Sequence, residues 1–198
     1  MADTLVIDPA HSALLSMDYQ PAILGAYPGD SDALIERAGA VQRAARAAGM
    51  LVVHVVVGFR PGYPEVSPRN SAFSTIKQSG RFTAEDAGAS EPVIPPREGD
   101  VVVTKHRVGA FMGTDLDMIL RAHEVETLVM FGVSTSGVVL STLRYAADAD
   151  YRCVVVRDGC ADRDAEVNSC LLDKVFPRQA TVVEADDVIA TLVASARR

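Results

Sequence analysis

The chain has 198 residues, of which 48% are hydrophobic and 23% charged, the composition of a globular protein that buries its own core. Its formal net charge of −7 repels nucleic-acid phosphates, so we expect no nucleic acid partner. No run of about 18 apolar residues occurs, so we expect no membrane span.

Predicted strands and helices alternate along the chain. An apolar strand at residues 13–17 is followed by a helix that begins at Asp30 or Ser31 and runs to about residue 48. Further strands are predicted at 50–57, 101–104, 127–132, 152–157 and 180–184. Further helices are predicted at 115–122, 137–149, 164–176 and 185–196.

Six strands alternating with helices predict an α/β fold: a doubly wound, Rossmann-like, six-stranded parallel sheet with helices on both faces. We assign residues 1–198 to this single domain. In such sheets, ligands bind beyond the carboxyl ends of the strands, near the topological switch point. Functional residues are therefore expected just after the strands.

Residues 58–99 interrupt the alternation with a long loop insertion that holds six of the ten prolines. Loops of this length in compact domains are usually functional. We expect this loop to shape substrate specificity or an oligomer contact, and we assign Phe59 and Arg60 to substrate binding. For Arg60, solvent exposure is the commoner alternative to binding a carboxylate.

Two charged residues follow apolar strands. Asp18 comes directly after the first strand, where desolvation opens its pKa to adjustment, although a simple cap is the plainer interpretation. Lys105 follows the third strand with two more basic residues, where a solvated strand terminus is the commoner interpretation. Paired across the switch point, Asp18 and Lys105 form a candidate acid and its orienting group.

The segment GVSTSGVV at residues 132–139 follows the fourth strand. Its small residues allow a tight turn into a helix whose first backbone N–H groups favour an anion or a developing oxyanion. A serine or threonine helix cap explains the same residues. The sequence contains neither a Gly-x-Gly-x-x-Gly fingerprint nor a Walker-type phosphate loop, and we expect no cofactor.

The histidines and cysteines predict neither a metal site nor a disulfide framework. The four histidines show no ligand spacing, and His54, inside an apolar strand, is interpreted as a hydrogen-bonded core residue. Three clustered cysteines without a Cys-x-x-Cys pair fit a reducing cytoplasm. The first eight residues carry two acids and no base, unlike a signal peptide. We expect no metal and a cytoplasmic location.

Three ordered segments carry a family resemblance: LLSMDYQ at 14–20, KHRVGAFMGTDL at 105–116 and GVSTSGV at 132–138. Together with RDGCADRD at 157–164, they resemble the isochorismatase-like hydrolases, also called the cysteine hydrolase superfamily. The resemblance covers nearly the whole chain and implies a six-stranded parallel sheet with a catalytic triad of Asp, Lys and Cys. Asp18 matches the acid of that triad, and Lys105 matches the lysine.

Val138 stands at the position of the family's catalytic cysteine, and no cysteine of the chain replaces it by sequence position. Family members that act on the vinyl ether of isochorismate also lack the cysteine: their acid protonates the substrate's methylene carbon, and water then adds. The resemblance thus implies a cofactor-free hydrolase of a small metabolite in which Asp18 and Lys105 act without a thiol. Because a valine side chain is larger than a glycine, Val138 narrows the pocket, which argues against isochorismate itself as the substrate.

The resemblance implies three further features. A cis peptide bond is expected between Val133 and Ser134, aiming the N–H groups of Ser134 and Val138 at one point. Substrate contacts are expected at Gln20, Ser134 and Thr135. Since family members usually associate, we expect a homo-oligomer, a dimer or tetramer.

Two other functions stay open. The chain is alternatively a catalytically inactive family member that serves as a metabolite-binding or assembly subunit. A serine nucleophile, Ser134 or Ser136, is a weaker alternative, because neither takes the thiol's position and no histidine base lies nearby in sequence. Retention of both Asp18 and Lys105 favours catalysis, because a buried ion pair adds little stability.

Overall fold

The computed structural model describes residues 5–27, 29–84, 86 and 91–195. Six parallel strands form one sheet in the order β3-β2-β1-β4-β5-β6. The strands are β1 Ser12–Met17, β2 Leu51–Val57, β3 Val101–Lys105, β4 Thr127–Gly132, β5 Arg152–Val156 and β6 Thr181–Val183. The prediction of a single α/β domain around a six-stranded parallel sheet is confirmed.

Helices flank this sheet. They are α1 Pro21–Leu24, α2 Ser31–Ala47, α3 Ser71–Ser79, α4 Leu116–Ala122, α5 Leu140–Asp148, α6 Ala165–Cys170 and α7 Ala185–Ser195. Helix α2 packs against α7 and against β1 and β2, while α5 packs against β5. The predicted end of the last helix, residue 196, lies outside the described residues. Within the described ranges, no helix is long and apolar enough to cross a membrane.

Helix α2 illustrates how the sequence specifies these elements. Asp30 caps its N-terminus, its Oδ1 accepting a hydrogen bond from the Ala33 N–H at 3.0 Å. The apolar residues at helical spacing along it are all buried, namely Leu34, Ala38, Val41 and Ala45. The helix therefore begins where its cap predicts and presents its apolar face to the core.

The register of the sheet brings several strand ends to one edge. Met17 of β1 pairs with Gly132 of β4, and Val57 of β2 pairs with Lys105 of β3. Since β1 lies between β2 and β4, Asp18 follows a strand in the middle of this edge. The strand ends singled out in the sequence are thus neighbours in space.

The segment at 58–99 is not simply a loop, which corrects that part of the prediction. It contains α3, whose N-cap Asn70 accepts a hydrogen bond from the Phe73 N–H at 3.3 Å. A one-turn helix, α1, was also missed, and the helix predicted at 164–176 is α6 followed by π-helical and 3-10 turns. Proline and glycine at high density obscured the short helices, because both residues disfavour helix interiors.

The residues around α3 form an apolar cluster of their own, apart from the main core. This α3 cluster consists of the buried residues Val57, Phe59, Tyr63, Phe73 and Phe82. The Phe59 ring lies 5.4 Å from that of Tyr63 and 5.9 Å from that of Phe73, centroid to centroid. Aromatic packing therefore holds this segment against the end of β2.

A buried polar network lies between α2 and the sheet. Asp100 accepts hydrogen bonds from Arg46 Nη2 at 2.7 Å and Nε at 3.0 Å, and its Oδ2 lies 3.1 Å from His54 Nε2. Gln42 extends the network by accepting from Arg46 and donating to the Ser16 hydroxyl. Although burial alone raises the pKa of Asp100, the hydrogen bonds, first among them that from Arg46, lower it overall. His54 therefore has a buried hydrogen-bond partner.

Candidate active site

Asp18 and Lys105 form a buried ion pair at the carboxyl end of the sheet. Lys105 Nζ lies 3.0 Å from Asp18 Oδ2, and the two side chains are 3% and 7% exposed, respectively. Lys105 Nζ also donates to the carbonyl oxygen of Arg107 at 3.1 Å. The lysine is thus held between the loop after its own strand and the carboxylate that follows β1.

The environment of Asp18 shifts its ionisation. Its backbone has a φ of 60°, in the left-handed region that Asp tolerates better than most residues, and its N–H donates to the carbonyl oxygen of Val55 at 2.8 Å. Burial raises the pKa of Asp18 to about 6, although the positive charge of Lys105 opposes the rise. Oδ1 is buried and has no hydrogen-bond partner among the described residues. One carboxylate oxygen is thus held, and the other remains available for a ligand.

A cavity of about 400 Å³ opens onto this pair. Ser134 and Val138 from the turn after β4 line it together with Asp18 and Lys105. Its volume is in the lower part of the range for small-molecule sites. Its apolar wall comes from α1, α3 and the residues near them, including Ala22, Ile23, Phe73, Ile76 and Phe82.

The turn after β4 is held by its neighbours. The peptide bond between Val133 and Ser134 is cis. A π-helical turn at Thr135–Val139 leads into α5, and the Ser136 N–H donates to Asp162 Oδ2 at 2.6 Å. A Cβ added at Gly137 would lie 2.5 Å from the Ser134 hydroxyl oxygen, so only a glycine fits there without a shift.

The chain is similar to known proteins over most of its length. Residues 12–187 match the model of the isochorismatase domain. The chain belongs to the isochorismatase family. It is 32% identical over 179 residues to the uncharacterized isochorismatase family protein YwoC of Bacillus subtilis, covering 90% of this chain and 92% of YwoC. It is 31% identical over 178 residues to the ureidoacrylate amidohydrolase RutB of Klebsiella variicola, covering 79% of this chain and 75% of RutB.

A solved structure supports the same assignment. An isochorismatase family protein from Burkholderia thailandensis superposes with a TM-score of 0.81 at 28% sequence identity. The match covers 95% of this chain and 98% of that protein. The two proteins therefore share the fold over nearly their full lengths.

Val138 occupies a buried position in the wall of this isochorismatase-family cavity. Its side chain packs toward β4, with Cγ1 3.1 Å from the place a Cβ on Gly132 would take. No cysteine is among the described residues that line the cavity. Burial raises the pKa of Cys153 to about 11 and that of Cys160 to about 12, while Cys170 lies exposed on α6.

Two residues expected to contact substrate have other partners. Gln20 does not line the cavity: its Oε1 accepts from the Val57 N–H at 2.7 Å, and its Nε2 donates to the Val57 carbonyl oxygen at 3.0 Å. The Thr135 hydroxyl donates to Asn168 Oδ1 at 2.6 Å. Both side chains join segments around the site, and neither is among the described residues that line the cavity; their assignment to substrate binding stays a prediction.

The two residues assigned to substrate binding in the 58–99 segment also have other partners. Phe59 belongs to the α3 cluster and lies behind Phe73, which lines the cavity in its place. Arg60 is 70% exposed at its side chain and pairs with Glu65, Nη1 to Oε1, at 2.6 Å. Its exposure favours the solvated alternative over binding of a substrate carboxylate.

The isochorismatase-family cavity also contains residues that were not predicted, namely Tyr27, Arg81 and Arg163. Burial raises the pKa of Tyr27, and the nearby Ser134 side chain opposes the rise. Arg81 lies in the segment expected to shape specificity, but nothing in the sequence distinguishes it from the other basic residues there. Among the described residues, no group of three or more His, Cys, Asp or Glu side chains is arranged to hold a metal ion.

Proposed function

We propose that this isochorismatase-family protein is a cofactor-free hydrolase of a small metabolite. Asp18 and Lys105 supply the acid–base chemistry, and water is the nucleophile. The observation that carries the proposal is the buried Asp18–Lys105 pair facing the cavity, with Oδ1 unpartnered among the described residues. A carboxyl oxygen in that state is available for proton transfer to a bound substrate.

Asp18 acts as the general acid. With a pKa raised to about 6, its acid form makes up about a tenth of the molecules at pH 7, far more than the ordinary pKa of 3.8 would allow. It donates its proton to the substrate, at the methylene carbon of a vinyl ether or at the leaving nitrogen of an amide. Water adds to the electron-poor carbon, and the Asp18 carboxylate takes up one proton of that water. The bond to the leaving group then breaks: the nitrogen of an amide leaves with the proton from Asp18, whereas the oxygen of a vinyl ether leaves with the second proton of the added water.

Lys105 is the orienting group in this scheme. Its 3.0 Å contact with Oδ2 fixes the carboxyl group, and its contact with the Arg107 carbonyl oxygen fixes the lysine in turn. When the substrate carries a carbonyl group, the N–H groups of Ser134 and Val138 bind the negative charge that develops on its oxygen. Positioning and charge stabilisation thus come from the strand ends themselves.

The thiol of the cysteine hydrolases has no counterpart in this proposal. Val138 takes its place in the motif and has no nucleophilic atom. The three cysteines lie elsewhere, two of them buried with raised pKa values and one exposed. Water is therefore the nucleophile that the site leaves available.

The relatives indicate which substrates to assay. RutB is named a ureidoacrylate amidohydrolase, and it aligns with this chain over 178 residues. We would therefore test ureido acids, simple amides, isochorismate and nicotinamide as substrates. Mass spectrometry detects hydrolysis as the addition of one water. For the substrate that is turned over, we expect Asp18→Asn to lower the rate by about 10²–10⁴.

Asp117→Asn is the matched control, because Asp117 forms an ion pair with Arg121 on the surface of α4. It should leave turnover unchanged. Full activity of Asp18→Asn would contradict the proposed mechanism. Ligand binding without turnover of any substrate would instead support the catalytically inactive alternative.

Two further parts of the proposal concern the protein's surroundings. We propose a homo-oligomer, a dimer or tetramer, because members of the family usually associate. Light scattering at micromolar concentration should give two or four times the 21.1 kDa chain mass, and a monomer would contradict it. We also propose a cytoplasmic location, which the three free cysteines support.

A further inference from the structure

The cavity concentrates positive charge in an acidic protein. Asp18 and Lys105 form a pair and offset each other, while Arg81 and Arg163 add two positive charges to the described lining. The whole chain carries a formal net charge of −7. A local positive region in such a chain attracts anionic ligands and repels cations.

Arg81 is held at one side of the cavity. Its Nη2 donates to the carbonyl oxygen of Ala22 at 2.6 Å, and its Cζ lies 5.3 Å from the centroid of the Phe82 ring. A guanidinium group has five N–H donors, so this contact leaves others for a ligand. In the part of the chain that the structure describes, no carboxylate forms an ion pair with Arg81.

Arg163 extends the positive region from another element. Its Cζ lies 5.7 Å from the centroid of the Tyr27 ring, which lines the cavity. No described carboxylate forms an ion pair with Arg163 either. Contact with the ring limits the freedom of the guanidinium and leaves its N–H groups for a ligand.

We propose that Arg81 and Arg163 form a carboxylate-binding subsite, so that the substrate is a small organic acid with an apolar body. Ile23, Phe73 and Ile76 supply the apolar wall for that body, and the bond to be hydrolysed reaches Asp18. The fork of a guanidinium group matches the two oxygens of a carboxylate. The hydrolysis at Asp18 in this inference rests on the proposed function, whereas the binding of a carboxylate does not.

A pair of probes that differ in charge tests the subsite. Benzoate and benzamide have nearly the same shape, and isothermal titration calorimetry measures the affinity of each. We expect benzoate to bind more tightly than benzamide, and to bind about tenfold more weakly to Arg81→Gln and to Arg163→Gln. Benzamide should bind alike to wild type and both variants. Because both arginines are solvent-exposed, added salt should also weaken the binding of benzoate.

Arg60→Gln is the matched control, because this arginine belongs to the same segment as Arg81 but lies outside the cavity. It should bind benzoate as wild type does. Arg81→Lys keeps the charge without the fork and should bind with intermediate affinity. Urea denaturation of each variant verifies that it is folded.

Three results would overturn the proposal: no binding of benzoate, equal binding of benzamide, or the same benzoate affinity in wild type and both glutamine variants. Failure of the proposed reaction is recognised separately. Full turnover by Asp18→Asn would contradict the proposed mechanism. Loss of benzoate affinity in the arginine variants would still support the subsite.

Discussion

The ionisation of Asp18 should control the pH dependence of the reaction. Burial raises its pKa from the ordinary value of 3.8 to about 6. Because the acid form is the reactive one, kcat/KM should be constant at low pH, reach half of its maximum at about pH 6 and then fall about tenfold per pH unit. Between pH 6 and pH 8 the loss should be about fiftyfold. With an ordinary pKa, the fall would begin about two units lower.

Substitution of Lys105 tests the physical cause of this pKa. The positive charge of Lys105 favours the ionised carboxylate, so Lys105→Gln should raise the pKa of Asp18 further. We expect the midpoint of the kcat/KM profile to move up by about 1–3 pH units, the range for a close opposite charge. Lys77→Gln is the matched control, because Lys77 is exposed on α3 and should not affect the midpoint.

The assay is a series of kcat/KM measurements between about pH 5 and pH 9, since this ratio reports the ionisations of the free enzyme. Titration of a ¹³C-labelled Asp18 carboxyl by NMR gives the same midpoint without a substrate. A rate that rises between pH 5 and pH 7 would refute the acid role and indicate a base. A midpoint lowered by Lys105→Gln would refute the coupling between the two side chains.

Three further predictions concern the thiol position, the buried network and the turn. Iodoacetamide should leave wild-type turnover intact but inactivate Val138→Cys; loss of wild-type activity would implicate a native cysteine. In urea denaturation, Asp100→Asn should lower the free energy of unfolding by about 2–3 kcal/mol, against about 0.5 kcal/mol or less for Asp117→Asn, whose side chain is half-buried in a surface ion pair. The effect at Asp100 should begin to shrink below about pH 3.8, the ordinary pKa, and disappear as the pH falls through the lowered pKa of the folded protein, because the interaction stabilises the fold only while the carboxyl group is ionised. Gly137→Ala should lower the free energy of unfolding by about 1–3 kcal/mol, because the added Cβ meets the Ser134 hydroxyl. Gly39→Ala should not lower it, because the added Cβ meets only the flexible end of the Arg43 side chain.

The central strands could be predicted closely from the sequence. The fourth strand was predicted at residues 127–132, and the structure has it at Thr127–Gly132. Parallel strands buried on both faces are near-continuous apolar runs, which an amphipathic helix does not produce. The strand order depends on contacts between distant segments and could be inferred only from the rules for such folds.

The candidate site was predictable where a strand end determines it. Asp18 directly follows β1, and Lys105 is the last residue of β3, so the register of the sheet brings them together. Gln20 lies two residues further along, where the alternation of a strand no longer determines the direction of the side chain. Arg81 and Arg163 come from segments whose paths depend on tertiary packing, and no local pattern identifies them.

The separation of the α3 cluster from the main core has a consequence for how the cavity can vary. The Asp18–Lys105 pair is anchored in the sheet, whereas much of the apolar cavity wall is anchored in a smaller cluster with its own contacts. Replacements around Phe73 and Phe82 therefore alter which molecules fit, while the strands that hold Asp18 keep their packing. The shape of the cavity can therefore change through one segment while the Asp18–Lys105 pair beneath it stays in place.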